Sequence, residues 1–268
     1  MRMSVNVTAT ASKTVAACRG FIVVLLLLTT VTQLTAQNAK WKQWETQADT
    51  LLSRNDFQGA IKLYTKIIKA SKLKDESAKG ALYKRAVSYY SIGDFQNALK
   101  YLDIFIPWFP QVVQAHVLRA FIYKDLQDNE NQLIELEKVL ALQPGNPEVM
   151  KLRASVYMDQ GKYEQAKKDL LTVRRFRDDA ETEVYLGYAY YNLEQVDSAL
   201  ISFNKSIELD ASYLPAYLYA GSFSLQEGNY DLALKYLNLA ARLEPTNSTV
   251  LFYKGIALIE KENLDEGC

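Results

Sequence analysis

The side chains able to do chemistry are few and poorly placed for it. A single histidine, His116, has no second imidazole to share a metal with, which excludes His-pair metal motifs and leaves a hydrolytic triad nothing obvious to build on. The cysteines, Cys18 and Cys268, lie at opposite ends of the chain, so a multi-thiolate metal site and a disulfide scaffold are excluded. There is no Gly-rich phosphate loop, no His-Glu-x-x-His and no Cys-x-x-Cys. What does recur is arginine: Arg85, Arg119 and Arg153 stand 34 residues apart. A guanidinium can make two parallel bonds to a carboxylate. Either these arginines pair internally, Arg119 with Glu135 and Arg153 with Asp169, or they form a ladder that reads acidic side chains of a partner. Lys167, Lys168, Arg174, Arg175 and Arg177 make a basic run, but Asp178, Asp179, Glu181 and Glu183 follow at once, the pattern of a solvated, self-compensated face. No catalytic residue, metal or cofactor is expected from this inventory, and His116 reads as a packed side chain.

Charge and composition narrow the class further. The chain carries 31 basic and 31 acidic residues, and residues 1–36 hold three of the basic ones (Arg2, Lys13, Arg19) and no acid. Without that segment 28 basic residues face 31 acidic ones, which is no footprint for a phosphate backbone, and no nucleic-acid partner is expected. At 49% apolar the chain is not disordered, and 11 Gly with 6 Pro are too few for a turn-rich all-β protein. In residues 1–36 a cationic, hydroxyl-rich start, the apolar run Phe21–Leu28 and Leu34-Thr35-Ala36 follow in the order of a cleaved secretory signal. The alternatives are an uncleaved membrane anchor, which its length and five Thr or Gln residues disfavour, or an organelle transit peptide. The expectation is an exported chain, periplasmic or secreted, touching a membrane only through this segment if it stays uncleaved.

The elements that position everything else repeat. Ala60, Ala98, Gln132, Ala166, Ala199, Ala233 and Gly267 are spaced by 38, 34, 34, 33, 34 and 34 residues. Four residues after these anchors come Tyr64, Leu102, Leu136, Leu170, Phe203 and Leu237; twelve before them come Ala48, Ala86, Ala120, Ala154, Gly187, Gly221 and Gly255. A small residue on one helix facing a small residue on the next lets two backbones approach, with the bulky neighbours filling the space around the contact. One such pair cannot bury its own apolar face, so neighbours must stack.

Leu186-Gly187-Tyr188-Ala189-Tyr190 followed by Ala199 and Phe203, and Gly221 with Ala233, Leu237 and Pro245, resemble the tetratricopeptide repeat family. The resemblance covers 41–74, 79–112, 113–146, 147–179, 180–213 and 214–247, with a half repeat at 248–268, so the array takes up 37–268. It implies an all-α, right-handed α-solenoid of about thirteen helices in antiparallel pairs, and a non-catalytic scaffold whose first helices line a groove for a peptide or partner protein. Mapped onto this chain, the groove slots are Tyr83, Val87 and Tyr90; Val117, Phe121 and Lys124; Lys151, Ser155 and Met158. Further on they are Val184, Tyr188 and Tyr191; Leu218, Ser222 and Leu225; Phe252, Ile256 and Ile259. Tyrosine suits recognition, giving large contact area with few rotors and a polar tip; the competing reading is that these side chains only pack the stack against itself. The Lys/Asn/Arg clamp by which some members hold a chaperone's C-terminal carboxylate is missing, because Tyr83, Val87, Val117 and Phe121 occupy its slots. A carbohydrate- or small-ligand-binding repeat protein, or an accessory subunit of an envelope assembly or secretion complex, stands as the alternative function.

Several positions depart from the pattern. Residues 75–78 are extra and should extend a helix end or a loop. Gln132 in an anchor slot should loosen its hairpin. Pro107 should end the second repeat's second helix early. Trp108 shares a slot with Leu142, Phe176, Leu209 and Leu243 and reads as core, whereas Phe109 reads as an exposed contact. Lys254, Glu260, Lys261 and Glu262 in the half repeat suit either a polar cap or the start of a longer array.

Overall fold

The computed structural model describes residues 39–71 and 76–267, with side chains from Ala78 to Glu262 in the second stretch. The expected leader, Cys18, Asp75 and Cys268 lie outside the described residues. Thirteen helices and no strand occur among them: α1 (39–53), α2 (Phe57–Ser71), α3 (Glu76–Ser91), α4 (Phe95–Phe105), α5 (Val113–Asp125), α6 (Asn129–Leu142) and α7 (Pro147–Asp159). The series continues with α8 (Tyr163–Phe176), α9 (Ala180–Asn192), α10 (Val196–Leu209), α11 (Leu214–Gln226), α12 (Tyr230–Leu243) and α13 (Ser248–Gly267). They form two compact units, one up to Leu118 and one from Arg119, and the stacked helix pairs within each are those of an α-solenoid. No helix among the described residues is long and apolar enough to cross a membrane.

Each repeat turns on one left-handed residue. Asn55, Gly93, Gln127, Gly161, Glu194 and Gly228 all have φ between 57° and 76°, and each lies five residues before its anchor. The amide after each of them donates to a carbonyl five residues back, as Asp94 to Tyr89 (2.9 Å), Lys162 to Tyr157 (2.7 Å) and Asn229 to Ser224 (2.8 Å). This is the Schellman closure, which satisfies carbonyls that a helix end would orphan. The next helix is capped at once where the residue allows: Asp94 accepts from the Asn97 amide, Asp128 from Asn131 and Asn229 from Leu232, each at 3.1 Å. Three-residue reversals of this kind force the helices of a repeat to run antiparallel.

The small–small contacts are where the sequence places them. Ala48, Ala60, Ala86, Ala98, Ala154, Ala166, Ala199 and Ala233 have no exposed surface, and Leu102, Leu170, Phe203 and Leu237 fill in beside them. At two repeats the approach is so close that only glycine fits: a β-carbon on Gly187 would lie 2.5 Å from the Phe203 ring, and one on Gly221 2.7 Å from Leu237. Pro107 does shorten its helix, since α4 has 11 residues against 14 in α6, α8, α10 and α12. Glu76, Ser77 and Ala78 open α3, so the extra residues lengthen a helix start. Gln132 is buried, and a polar pocket of about 450 Å³ opens beside it, lined by Lys124, Gln127, Asn129, Ser155 and Asp159 among others.

Five expectations need correction. Trp108 is 54% exposed and lies under the Lys79 ammonium (4.3 Å), while Phe109 is half-buried on Phe105 (5.0 Å). Phe176, Leu209 and Leu243, in the Trp108 slot, are exposed too, each as the last residue of its helix. Val184 is buried and faces no groove. Glu183 is not on a solvated face but 1% exposed. The outer side of α13 is not a polar cap: Leu251, Phe252, Leu258 and Ile259 are all exposed there.

Candidate functional site

In the unit up to Leu118 the groove residues sit half-buried on the first helices. Tyr83 packs its ring 5.5 Å from Phe105, Tyr90 rests 5.9 Å from Phe95, and Val87 and Val117 are half-buried. Burial alone holds the Tyr83 hydroxyl above the usual phenol range. Arg85 does not reach outward: it donates to the Tyr89 hydroxyl (3.1 Å) and sits over the Tyr101 ring, 4.0 Å from its centroid. His116 is buried, with its ring nitrogen 3.1 Å from the Pro110 carbonyl oxygen.

In the unit from Arg119 the remaining arginines are internal as well. Arg119 donates to Glu135 (2.9 Å), and Arg153 grips Asp169 with two bonds of 2.7 and 2.8 Å. Both carboxylates are buried, so the reading of a ladder aimed at a partner's acids falls for these two residues. Phe121 and Met158 are half-buried, and exposed Lys124 and half-buried Ser155 line the pocket beside Gln132. Lys151 is ringed by Glu181 (2.8 Å), Glu148 (3.5 Å) and Asp179 (3.7 Å). Burial works against its charge, but the bond to Glu181 and the nearby carboxylates outweigh that and raise its pKa.

Tyrosines dominate the first-helix side of α9 and α11. Tyr188 lies edge-on between Tyr163 (6.1 Å) and Tyr219 (5.7 Å), and Tyr219 stacks over Phe203. Tyr191 sets its edge on Phe223 (4.9 Å) and donates to Gln226. The Tyr185 hydroxyl faces Glu181 at 3.5 Å. Tyr213 is pushed up to about 12, first by burial and then by the charge of Glu181. Phenols held above their usual range remain hydrogen-bond donors through neutral and mildly alkaline pH. Leu218 and Leu225 flank this strip half-buried, Ser222 turns its hydroxyl back to the Tyr219 carbonyl (3.2 Å), Ile256 is half-buried, and Phe252 and Ile259 are exposed.

Tyr185, Tyr213 and Tyr219 were not among the sequence candidates. A signal for two of them was present, because Tyr185, Tyr219 and Tyr253 recur 34 residues apart in one slot of the last three repeats. Glu183 was missed in the same way. It occupies the slot of Trp44, Leu82, His116, Met150, Tyr217 and Leu251, where a carboxylate is out of place. Neither of its oxygens has a hydrogen-bond partner, and the Arg174 guanidinium is 3.6 Å away.

Comparison with known proteins agrees with this architecture. Models of the tetratricopeptide repeat match residues 45–111 and 151–213, and residues 113–146 and 214–247. The chain is 28% identical to human tetratricopeptide repeat protein 13 over 143 residues, which is 51% of this chain and 17% of that one. It is 36% identical to human sperm-associated antigen 1 over 84 residues, 31% of this chain and 9% of that protein. It therefore spans less than a fifth of either relative. Among solved structures it resembles the C-terminal part of a repeat protein from Cytophaga hutchinsonii (TM-score 0.63, 20% identity, 74% of this chain and 78% of that one). It also resembles YrrB, a tetratricopeptide protein with an unusual peptide-binding site (TM-score 0.59, 20% identity, 72% and 97%). At such identities these likenesses speak for the fold.

Proposed function

The chain belongs to the tetratricopeptide repeat family, and from that premise we propose that it is a non-catalytic scaffold that holds an extended peptide or partner segment along the tyrosine strip of α9 and α11. The observation that carries this reading is the row formed by Tyr188 and Tyr219 on the first helices α9 and α11 and Tyr163 at the start of α8, with Tyr191 beside it, a connected set of aromatic rings and phenolic donors. Packing alone would not need so many hydroxyls. Edge-to-face contacts lock the rings in place, so little side-chain entropy remains to be lost on binding. The peptide-binding likeness of YrrB supports the same assignment by analogy of fold. The test is selection of binders from a displayed peptide library, followed by Tyr188→Ala with Tyr191→Ala. A loss of affinity of tenfold or more, with the helical circular dichroism signal and unfolding midpoint retained, supports the site; unchanged binding overturns it.

The same proposal places the protein outside the cytoplasm, supported by the charge and hydropathy order of residues 1–36. Mass spectrometry of the protein from its native cells should find an N-terminus at Gln37. A chain beginning at Met1 would overturn export by cleavage.

A further inference from the structure

The pocket of about 450 Å³ beside Gln132 lies wholly within the unit from Arg119. Six polar side chains line it: Lys124 in the last turn of α5, Gln127 in the turn that follows, Asn129 and Gln132 on α6, and Ser155 and Asp159 on α7. Among the described residues none of the six makes a side-chain hydrogen bond or ion pair. Two of them are unexplained by folding. Gln132 is 3% exposed in a slot that Ala166, Ala199 and Ala233 fill elsewhere in this unit. A carboxamide enclosed without a partner destabilises its own hairpin. Asp159 is the last residue of α7, where a carboxylate opposes the helix macrodipole.

We propose that this pocket binds a free α-amino acid. Lys124 and Asp159 give it one cation and one anion, and the two do not pair with each other. A neutral ligand would leave both charges unmatched, and a simple anion or cation would meet one opposed charge. A zwitterion answers both. Its carboxylate takes Lys124 and its ammonium takes Asp159. The Gln132 carboxamide donates to the first and accepts from the second, so the enclosed amide gains the partner that the fold withholds. The volume lies at the small end of the range for small-molecule sites, about 300–1,000 Å³, and two aliphatic side chains of α7 complete the wall. No tyrosine of α9 or α11 lines the pocket, so this site is additional to the strip that holds a partner segment.

The test is isothermal titration of the whole chain with each of the common amino acids, then with the N-acetyl and the carboxamide forms of any that binds. At least one should bind saturably, and both blocked forms should bind at least tenfold more weakly, since each lacks one of the two charges. Lys124→Met and Asp159→Asn remove exposed, unpartnered charges. Each should weaken binding at least tenfold with the unfolding midpoint unmoved. Gln132→Ala should weaken it as much while the midpoint holds or rises, because alanine is the residue of the other repeats; that combination separates contact with the ligand from damage to the hairpin. Tyr188→Ala with Tyr191→Ala should leave this binding unchanged. No saturable binding by any amino acid would overturn the proposal and leave a pocket filled by water only. Equal affinity for the blocked forms, or full affinity in the three pocket variants, would overturn it as well.

Discussion

Replacing Glu183 with methionine, the residue its slot carries in the preceding repeat as Met150, should stabilise the protein. The carboxylate is 1% exposed and neither oxygen has a hydrogen-bond partner. A buried polar group left unsatisfied costs about 1–3 kcal/mol, more when it is charged. The attraction to be lost is chiefly the 3.6 Å approach of Arg174, whose side chain is 41% exposed, with a smaller pull from Lys205. Such a half-solvated pair contributes about 1 kcal/mol at most. The net gain should be about 1–2 kcal/mol, or roughly 2–8 °C in melting temperature for a unit of this size. The pH dependence gives a second reading. Burial, reinforced by Asp178 and opposed by Arg174 and Lys205, holds the Glu183 carboxyl above its ordinary value. A group whose folded pKa is raised contributes its stability below the unfolded value, about 4.3, and loses it as pH rises through the folded one. The advantage of Glu183→Met should therefore be smallest near pH 4 and grow toward neutrality. Urea titrations at several pH values, with hydrogen exchange on α9 amides to localise the change, measure both effects. A variant less stable than the parent by 1 kcal/mol or more, with no growth toward neutral pH, would refute the account of an unsatisfied charge.

Two further perturbations probe the repeat itself. Glu194 and Gln127 hold left-handed conformations (φ 60° and 57°) in the slot where three other repeats have glycine. Glu194→Gly and Gln127→Gly should each stabilise by about 1 kcal/mol in chemical denaturation, since a β-carbon there is strained. Arg153→Met leaves Asp169 buried without its two bonds and should cost about 3 kcal/mol. Arg153→Met with Asp169→Leu should recover most of that loss, as a double-mutant cycle would show.

Much of the molecule was legible from residue types alone. The period, the pairing of Ala154 with Ala166 or Gly187 with Ala199, and the early stop at Pro107 are consequences of what each side chain permits its own backbone to do. The pairing of Arg119 and Arg153 with Glu135 and Asp169 was legible as one of two readings, because the repeat register brings each pair to adjacent helices. The tyrosine strip was half legible: Tyr188 and Tyr191 fell in groove slots, but Tyr213 comes from a connection that the register does not describe.

What the chain could not declare by its letters is coverage. Trp108, Leu251 and Leu258 are as apolar as residues of the core, yet they lie open, and Glu183 is charged, yet it is enclosed. The sequence determined the unit, because small residues, left-handed turns and caps act over a few residues of the same hairpin. Tertiary structure alone decided which surfaces of that unit meet another helix, because exposure belongs to the neighbour that arrives or does not, and no side chain carries that information by itself.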